Sequence, residues 1–415
     1  MCSRILITIV CFLSLLVMDA WPASGQDQSN PLVIGTVDSL HSSILNEDRK
    51  IWVSVPDTTW ATFKRNAVLY VLDAESDFSS AQAIVRRFRD LLPDLIIIGI
   101  TNTNRTRDLT PSRPVSEQGW DSASLASSGG GEKFIQFIQE ELIPYVDSKY
   151  PTTSYRVLFG HSFGGLFVVN TLVHHNGLFN AYIACEPSLW WDHRRLLKQA
   201  DEYLATQHFQ MKSLFLAITN SVTPHTPLDT SWAKKDTSWR TSQFRSIFHL
   251  RDALQKNSKN GLRWSYKYYP DELHGTVSLI ALYDGLRFLF DWYYFRDQDR
   301  LGQPGYDGVK MIRDHYGEMS RQFGYAVIPK EQDINGLGYL YMSKKQFKVA
   351  HDLFKLNIDW FPQSSNVYDS MGDYYLSIGD TDNAIQYFTK ALSIQEVPET
   401  RQKLNDLQSK KKPKN

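Results

Sequence analysis

Gly160-His161-Ser162-Phe163-Gly164 constrains this chain more than any other stretch, because of what flanks it. Tyr155-Arg156-Val157-Leu158-Phe159 before it is a short apolar run that reads as a buried strand. Gly165-Leu166-Phe167-Val168-Val169-Asn170-Thr171-Leu172-Val173 after it reads as the first turns of a buried helix. Gly-x-Ser-x-Gly between a strand and a helix is the setting of a nucleophile elbow. Such a turn strains the serine backbone, so glycines are expected two residues before and after it. It also lifts the Ser162 hydroxyl out of the sheet toward the positive end of the following helix. A bare pentapeptide occurs by chance; the flanking strand and helix make Ser162 a candidate nucleophile.

The surrounding sequence has the alternation such an elbow needs. Ile51-Trp52-Val53-Ser54-Val55 alternates like an antiparallel edge strand. Val68–Leu72 and Leu95–Ile100 are unbroken apolar runs, as central parallel strands require. Phe134 to Val146 has helical spacing. Ala181–Cys185, Leu214–Ile218 and Trp264–Tyr268 supply further strands, and Leu279 to Phe290 a closing helix. Residues 31–295 therefore predict an α/β domain, a mostly parallel sheet wrapped by helices. Asn220 to Arg240 breaks the pattern with Pro224, Pro227 and mixed charge, anchored only by Trp232 and Trp239, and reads as a lid or rim.

The chain has 415 residues, more than one domain's worth at about 150 residues each. Residues 296–330 read as a linker, and beyond them a repeat appears at a spacing of 34. Leu337-Gly338 recurs as Met371-Gly372, Tyr341 as Tyr375, Ala350 as Ala384 and Phe354 as Phe388. That is the tetratricopeptide pattern, with small residues where two helices cross and aromatics between them. Residues 331–410 thus predict two repeats and a capping helix over Glu399 to Ser409. Two repeats are fewer than the three usually needed for independent stability, so they are expected to lean on the first domain or on that capping helix. They serve either as packing helices or as a groove for a protein partner.

Forty-five basic and 45 acidic side chains cancel, which removes the usual charge argument for nucleic acid or an anionic membrane. Residues 1–25 read as a signal peptide: Arg4, an apolar run from Ile5 to Met18, then Ala23-Ser24-Gly25 before Gln26. The run is short for a bilayer span, so the mature chain is expected to lack one and to be secreted or periplasmic. Cys2 and Cys11 leave with the signal. Cys185 then remains as a lone core cysteine, not part of a disulfide scaffold.

Ser162 needs a base downstream, after the last strand. His274 stands there, in Pro270-Asp271-Glu272-Leu273-His274-Gly275. His161 is adjacent to the nucleophile but is expected to point away and pack against the sheet, and His225 falls in the lid. The third member is open. Ile218-Thr219-Asn220-Ser221 carries no acid, so Glu186 is the first choice, with Asp229, Asp271, Glu272 or a bare serine–histidine dyad as alternatives. The oxyanion hole is assigned to backbone N–H groups, that of Phe163 and one around Ala74-Glu75, taken as Glu75. Trp190, Trp191 and the loop Asn102 to Pro111 would border the substrate site, the two tryptophans being equally plausible as packing residues.

These blocks, with Leu69-Tyr70-Val71-Leu72-Asp73, Arg107-Asp108-Leu109-Thr110-Pro111, Glu141-Leu142-Ile143-Pro144-Tyr145 and Pro187-Ser188-Leu189-Trp190-Trp191, resemble the esterase family that contains the esterase D-like and ferric enterobactin (siderophore) esterases. The resemblance runs over roughly residues 32–292 in the family's order. It implies an α/β-hydrolase fold that cleaves carboxylic esters with no metal and no organic cofactor, Ser162 as nucleophile and His274 as base. The siderophore-esterase branch can work with a weak or absent acid, which suits the missing aspartate after Ile218. Ala74 stands where a glycine is usual. The expected substrate is a small or medium ester: a siderophore lactone, a feruloyl or acetyl ester, or a thioester. The competing readings are a residual hydrolase that recruits a partner through its repeats, and an acyltransferase on the same elbow.

Overall fold

The computed structural model describes residues 32–57, 65–222 and 230–411. The signal-peptide reading, with Cys2 and Cys11, and the candidates His225 and Asp229 lie outside the described residues. Eight strands form one sheet in the order β1-β2-β4-β3-β5-β6-β7-β8. They are β1 (Thr36–Ser42), β2 (Glu47–Ser54), β3 (Asn66–Val71), β4 (Leu95–Ile100), β5 (Thr152–His161), β6 (Ala181–Cys185), β7 (Ser213–Thr219) and β8 (Arg263–Tyr269). Only β1 and β2 run antiparallel to their neighbours; β3 to β8 are parallel. Every residue of β3, β4, β6 and β7 is buried, which is why those strands read as continuous apolar runs. The run at Ile51 is not the edge: β1 pairs outside it, its exposed, polar-rich sequence giving little strand signal.

The helices on the two faces are α1 (Ala74–Arg87), α2 (Arg105–Leu109), α3 (Phe163–His174), α4 (Trp191–Thr206), α5 (Ser242–Lys256) and α6 (Val277–Leu289). Residues 192–194 of α4 are left-handed, with φ of 49°, 53° and 63°. The helix read over Phe134 to Val146 is present as Gly131–Phe137 and Ile143–Lys149, joined by a π turn at Ile138–Leu142. All but one of the twelve residues of α3 are buried, and they bear on the largest apolar cluster. That burial fixes the helix behind Ser162. Cys185 is wholly buried at the end of β6, and burial pushes its thiol pKa up, as a core cysteine requires.

The stretch read as a linker is not one. It contains α7 (Gly308–Phe323), whose apolar residues Ile312, Met319 and Phe323 are buried. Phe323 packs on Tyr155 of β5 at 5.5 Å and on Trp292 at 4.9 Å. The same helix meets the repeats through Tyr316 on Trp360 and an Arg313–Asp359 ion pair of 2.6 Å. The first repeat is α8 (Glu331–Ser343) and α9 (Phe347–Trp360), the second α10 (Ser365–Ser377) and α11 (Thr381–Ile394), capped by α12 (Pro398–Lys411). A Cβ on Gly338 would lie 2.5 Å from Phe354, and one on Gly372 2.6 Å from Phe388. The 34-residue spacing thus repeats one contact, a glycine admitting an aromatic ring. The first repeat leans on α7, and the second packs Ala384 and Phe388 against Leu404 and Leu407 of the capping helix; the described residues from Gly35 onward belong to one compact unit.

Candidate active site

Ser162 caps α3 with φ 59° and ψ −114°, a conformation that costs a non-glycine residue about 1–3 kcal/mol. Its neighbours hold it there: Ser162 N–H donates to Cys185 O at 3.0 Å, and Ser162 O accepts from Leu166 N–H at 2.9 Å and Ser188 N–H at 3.1 Å. A Cβ on Gly160 would sit 2.4 Å from the Gly164 backbone, so that position admits only glycine. The second forbidden position is Gly165, where a Cβ would meet Cys185 O at 2.8 Å. Gly164, its expected partner, is less crowded, the nearest atom being an Asp73 carboxylate oxygen at 3.3 Å.

Glu186 follows β6 with φ 43°, a second strained turn, and its carboxylate is buried. Thr219 N–H donates to Oε1 at 2.5 Å, and Oε2 lies 3.2 Å from His274 Nδ1. An acid from the end of β6 thus reaches the histidine loop after β8, and the backbone after Ile218 supplies a donor to that acid rather than an acid of its own. Gln243 Nε2 braces the turn from α5, donating to Glu186 O at 2.8 Å and Pro187 O at 3.2 Å. His274, on the loop between β8 and α6, has a partly exposed side chain. Asp271 and Glu272 share its loop, but the Glu272 carboxylate accepts from the Thr276 hydroxyl at 2.7 Å instead.

Ser162 and His274 line one pocket of about 270 Å³ with Ser188, Trp190, Ser221 and Trp239, and Arg240, Ser242 and Gln243 complete it. Ser162 Oγ is 3.3 Å from Ser188 Oγ and shares no hydrogen bond with His274; catalytic contacts of this kind tighten when substrate binds. His161 does not pack against the sheet as expected. Its ring lies on that of His274, centroids 4.6 Å apart. Burial, and next the charge of His274, hold the His161 pKa down to about 4, so it is neutral at pH 7.

The two tryptophans divide. Trp190 lines the pocket and meets Trp239 edge-on at 4.8 Å. Trp191 does not: it is 1 % exposed, packs on Phe163 and Trp120, and donates Nε1–H to Ser112 O at 2.9 Å. It is a core residue and, contrary to the expected substrate contact, does not border the pocket. The rim role of the Asn220–Arg240 stretch holds in its described part, where Trp239 and Arg240 wall the pocket. Ser188, Ser221, Ser242 and Gln243 also line it, and the sequence gives no sign of this, since polar residues after strands and at a helix start carry no signal of their own.

The first N–H groups of α1 and α3 have no intrahelical acceptor, so the two helix starts offer the main-chain donors assigned to Glu75, or its neighbour Ala74, and Phe163. The Glu75 side chain is engaged elsewhere, accepting from Asn102 N–H at 2.9 Å. The Asn102–Pro111 loop is held through Arg49, whose side chain is 1 % exposed. It pairs with Asp108 at 2.7 Å and donates to Thr101 O at 2.9 Å. Among the described residues no three His, Cys, Asp or Glu side chains gather as metal ligands, and no helix is long and apolar enough to cross a membrane.

Similarity to known proteins agrees with this fold. The family model described as "Putative esterase" matches residues 42–249, and a tetratricopeptide-repeat model matches residues 365–398. The ferri-bacillibactin esterase BesA of Bacillus subtilis is 28 % identical over 63 % of this chain and 91 % of its own. The siderophore enterobactin esterase of Emericella nidulans is 28 % identical over 55 % and 84 %. The crystal structure of an IroE-like serine hydrolase from Shewanella oneidensis superposes with a TM-score of 0.65 at 30 % identity, covering 79 % of this chain and 99 % of that one. The chain belongs to this esterase family, and it is a carboxylic ester hydrolase on an α/β-hydrolase sheet with tetratricopeptide repeats at its C-terminal end.

Proposed function

We propose that the chain cleaves siderophore esters through an acyl-enzyme on Ser162. His274 takes the Ser162 proton as Oγ attacks the ester carbonyl, and Glu186 holds the imidazole and offsets its positive charge. The developing oxyanion is met by the N–H groups of Phe163 and of the start of α1, at Glu75 or Ala74. Collapse expels the alcohol, which takes the proton from His274. Water then repeats the cycle on the acyl-enzyme and releases the acid. The observation that carries the reading is the convergence of a strained serine and a Glu186-bound histidine on one pocket.

The substrate class rests on the relatives named for enterobactin and bacillibactin. The pocket supports it: the Trp190–Trp239 pair offers aromatic surface and Arg240 a cation, a wall suited to an ester that carries aromatic and anionic groups. Export behind residues 1–25 is part of the same proposal and rests on the sequence. The repeats offer a protein-binding surface in addition to their packing role.

Incubation with enterobactin and bacillibactin, iron-loaded and iron-free, with mass analysis of products, tests the reading. Ring-opened acids should form and should vanish in Ser162→Ala. Wild-type product formation by Ser162→Ala would overturn the serine mechanism. An added alcohol appearing as a new ester in place of the acid would identify acyl transfer rather than hydrolysis.

A further inference from the structure

The backbone ladder between β3 and β5 ends just short of the two N–H groups assigned to the oxyanion. Its last rung is Leu72 N–H to Phe159 O at 3.0 Å. Past that rung β3 turns into α1 through Asp73, at φ 52°, and β5 turns into α3 through Ser162. A side chain takes over where the ladder stops. Arg105, the first residue of α2, donates Nε–H to Asp73 Oδ1 at 2.7 Å and Nη2–H to Oδ2 at 2.8 Å. The same Nη2 also donates to His161 O at 3.3 Å. The guanidinium stands 5.6 Å from the Phe163 ring centroid. Asp73, itself nearly buried, takes a further bond from Asn102 Nδ2 at 2.7 Å.

We propose that Arg105 is a positioning residue for the oxyanion hole, its guanidinium setting the gap between the N-termini of α1 and α3. It grips the residue just before Ala74-Glu75 and the residue two before Phe163, so the two donors can separate only if these bonds break. A planar fork with fixed donor directions suits this task, and a lysine ammonium cannot reproduce it. Oxyanion donors act within a narrow range, 2.7–3.1 Å from the oxygen, and loss of one costs about 10²–10³-fold in kcat. Loosening their spacing should cost about 10–100-fold. Ground-state binding should change little, because the uncharged carbonyl depends weakly on those donors.

This inference rests on the Ser162 reading above, and the experiment separates the two. Arg105→Gln, Arg105→Lys, Asp73→Asn and Ser162→Ala are made in the full chain and assayed with p-nitrophenyl butyrate. Each Arg105 and Asp73 variant is also titrated with a trifluoromethyl ketone, whose hemiketal oxygen mimics the oxyanion. The expected result is kcat lower by about 10–100-fold, KM within about twofold, and trifluoromethyl ketone affinity falling in step with kcat/KM. Wild-type kcat in Arg105→Lys, or loss of kcat with unchanged inhibitor affinity, would overturn the positioning role. If Arg105→Gln does not fold, Arg105→Lys, which keeps the charge and the stem, decides the matter. Activity surviving in Ser162→Ala would instead refute the serine reading, whatever the Arg105 variants do.

Discussion

Replacing Glu186 by glutamine should cripple turnover without unfolding the protein, and the structure says why. Both carboxylate oxygens are engaged: Oε1 accepts Thr219 N–H at 2.5 Å and Oε2 faces His274 Nδ1 at 3.2 Å. With the Glu186 side chain 1 % exposed, water cannot substitute for either contact. An amide has one acceptor and one donor, so it satisfies only one of the two. Turned with its oxygen to Thr219, it points N–H₂ at Nδ1 and selects the tautomer whose proton sits on Nε2, the nitrogen that receives the Ser162 proton in the proposed mechanism. Turned the other way, it sets N–H₂ against the buried Thr219 N–H at a cost of about 1–3 kcal/mol. Either arrangement thins the active tautomer by about 10–100-fold at 1.4 kcal/mol per decade. Removing the negative charge opposite the imidazolium adds to that. The expected fall in kcat is about 10²–10⁴-fold, the upper end matching the loss seen when a serine-triad acid is amidated. Steady-state kinetics on p-nitrophenyl butyrate, with circular dichroism to confirm folding, give the answer. A folded variant within twofold of wild-type kcat would refute the orienting role of Glu186.

Gly372→Ala should destabilise by about 1–2 kcal/mol, an overpacking cost against Phe388 partly offset by better helix propensity. Gly336→Ala, in α8 with open space around it, should stabilise by about 0.5–1 kcal/mol; thermal melts showing the same sign for both would contradict the packing account. Asp77 is buried on α1, and burial, partly offset by a Ser278 hydrogen bond, raises its pKa to about 6. With the folded pKa above the unfolded one, stability falls as pH rises from about 4 through 6, by on the order of 2–3 kcal/mol. Asp77→Asn should therefore stabilise at pH 8 and be neutral near pH 3, and a pH-independent difference in denaturant midpoints would contradict the burial argument. Trp190→Ala should raise KM with kcat largely kept, whereas Trp191→Ala should lower the melting point by the equivalent of about 3–5 kcal/mol; equal effects of the two would mean the pocket assignment is wrong.

The sheet was legible because its central strands are buried on both faces, so Val68–Leu72 and Leu95–Ile100 carry no polar interruption. β1 was not, since an edge strand with one exposed face leaves a pattern a loop can also have. The elbow was legible through a local rule, glycine flanking a strained serine, although the second steric demand falls on Gly165 rather than Gly164. The helix α7 hid among Gly302, Pro304, Gly305 and Gly317, yet Ile312, Met319 and Phe323 have the spacing of a buried face. Trp190 and Trp191 could not be told apart from sequence, because the left-handed residues that follow them break the helical rule for which side faces inward. The Arg49–Asp108 and Arg105–Asp73 pairs join residues 59 and 32 apart in the chain, and only the fold brings them together.

Labelling with a fluorophosphonate tests the central claim most directly, because it reports an activated serine whatever the natural ester is. The account predicts one adduct, mapped by peptide mass spectrometry to the segment carrying Ser162, absent in Ser162→Ala and slowed by orders of magnitude in His274→Ala. An unlabelled but folded protein, or an adduct on another serine that survives Ser162→Ala, would contradict it.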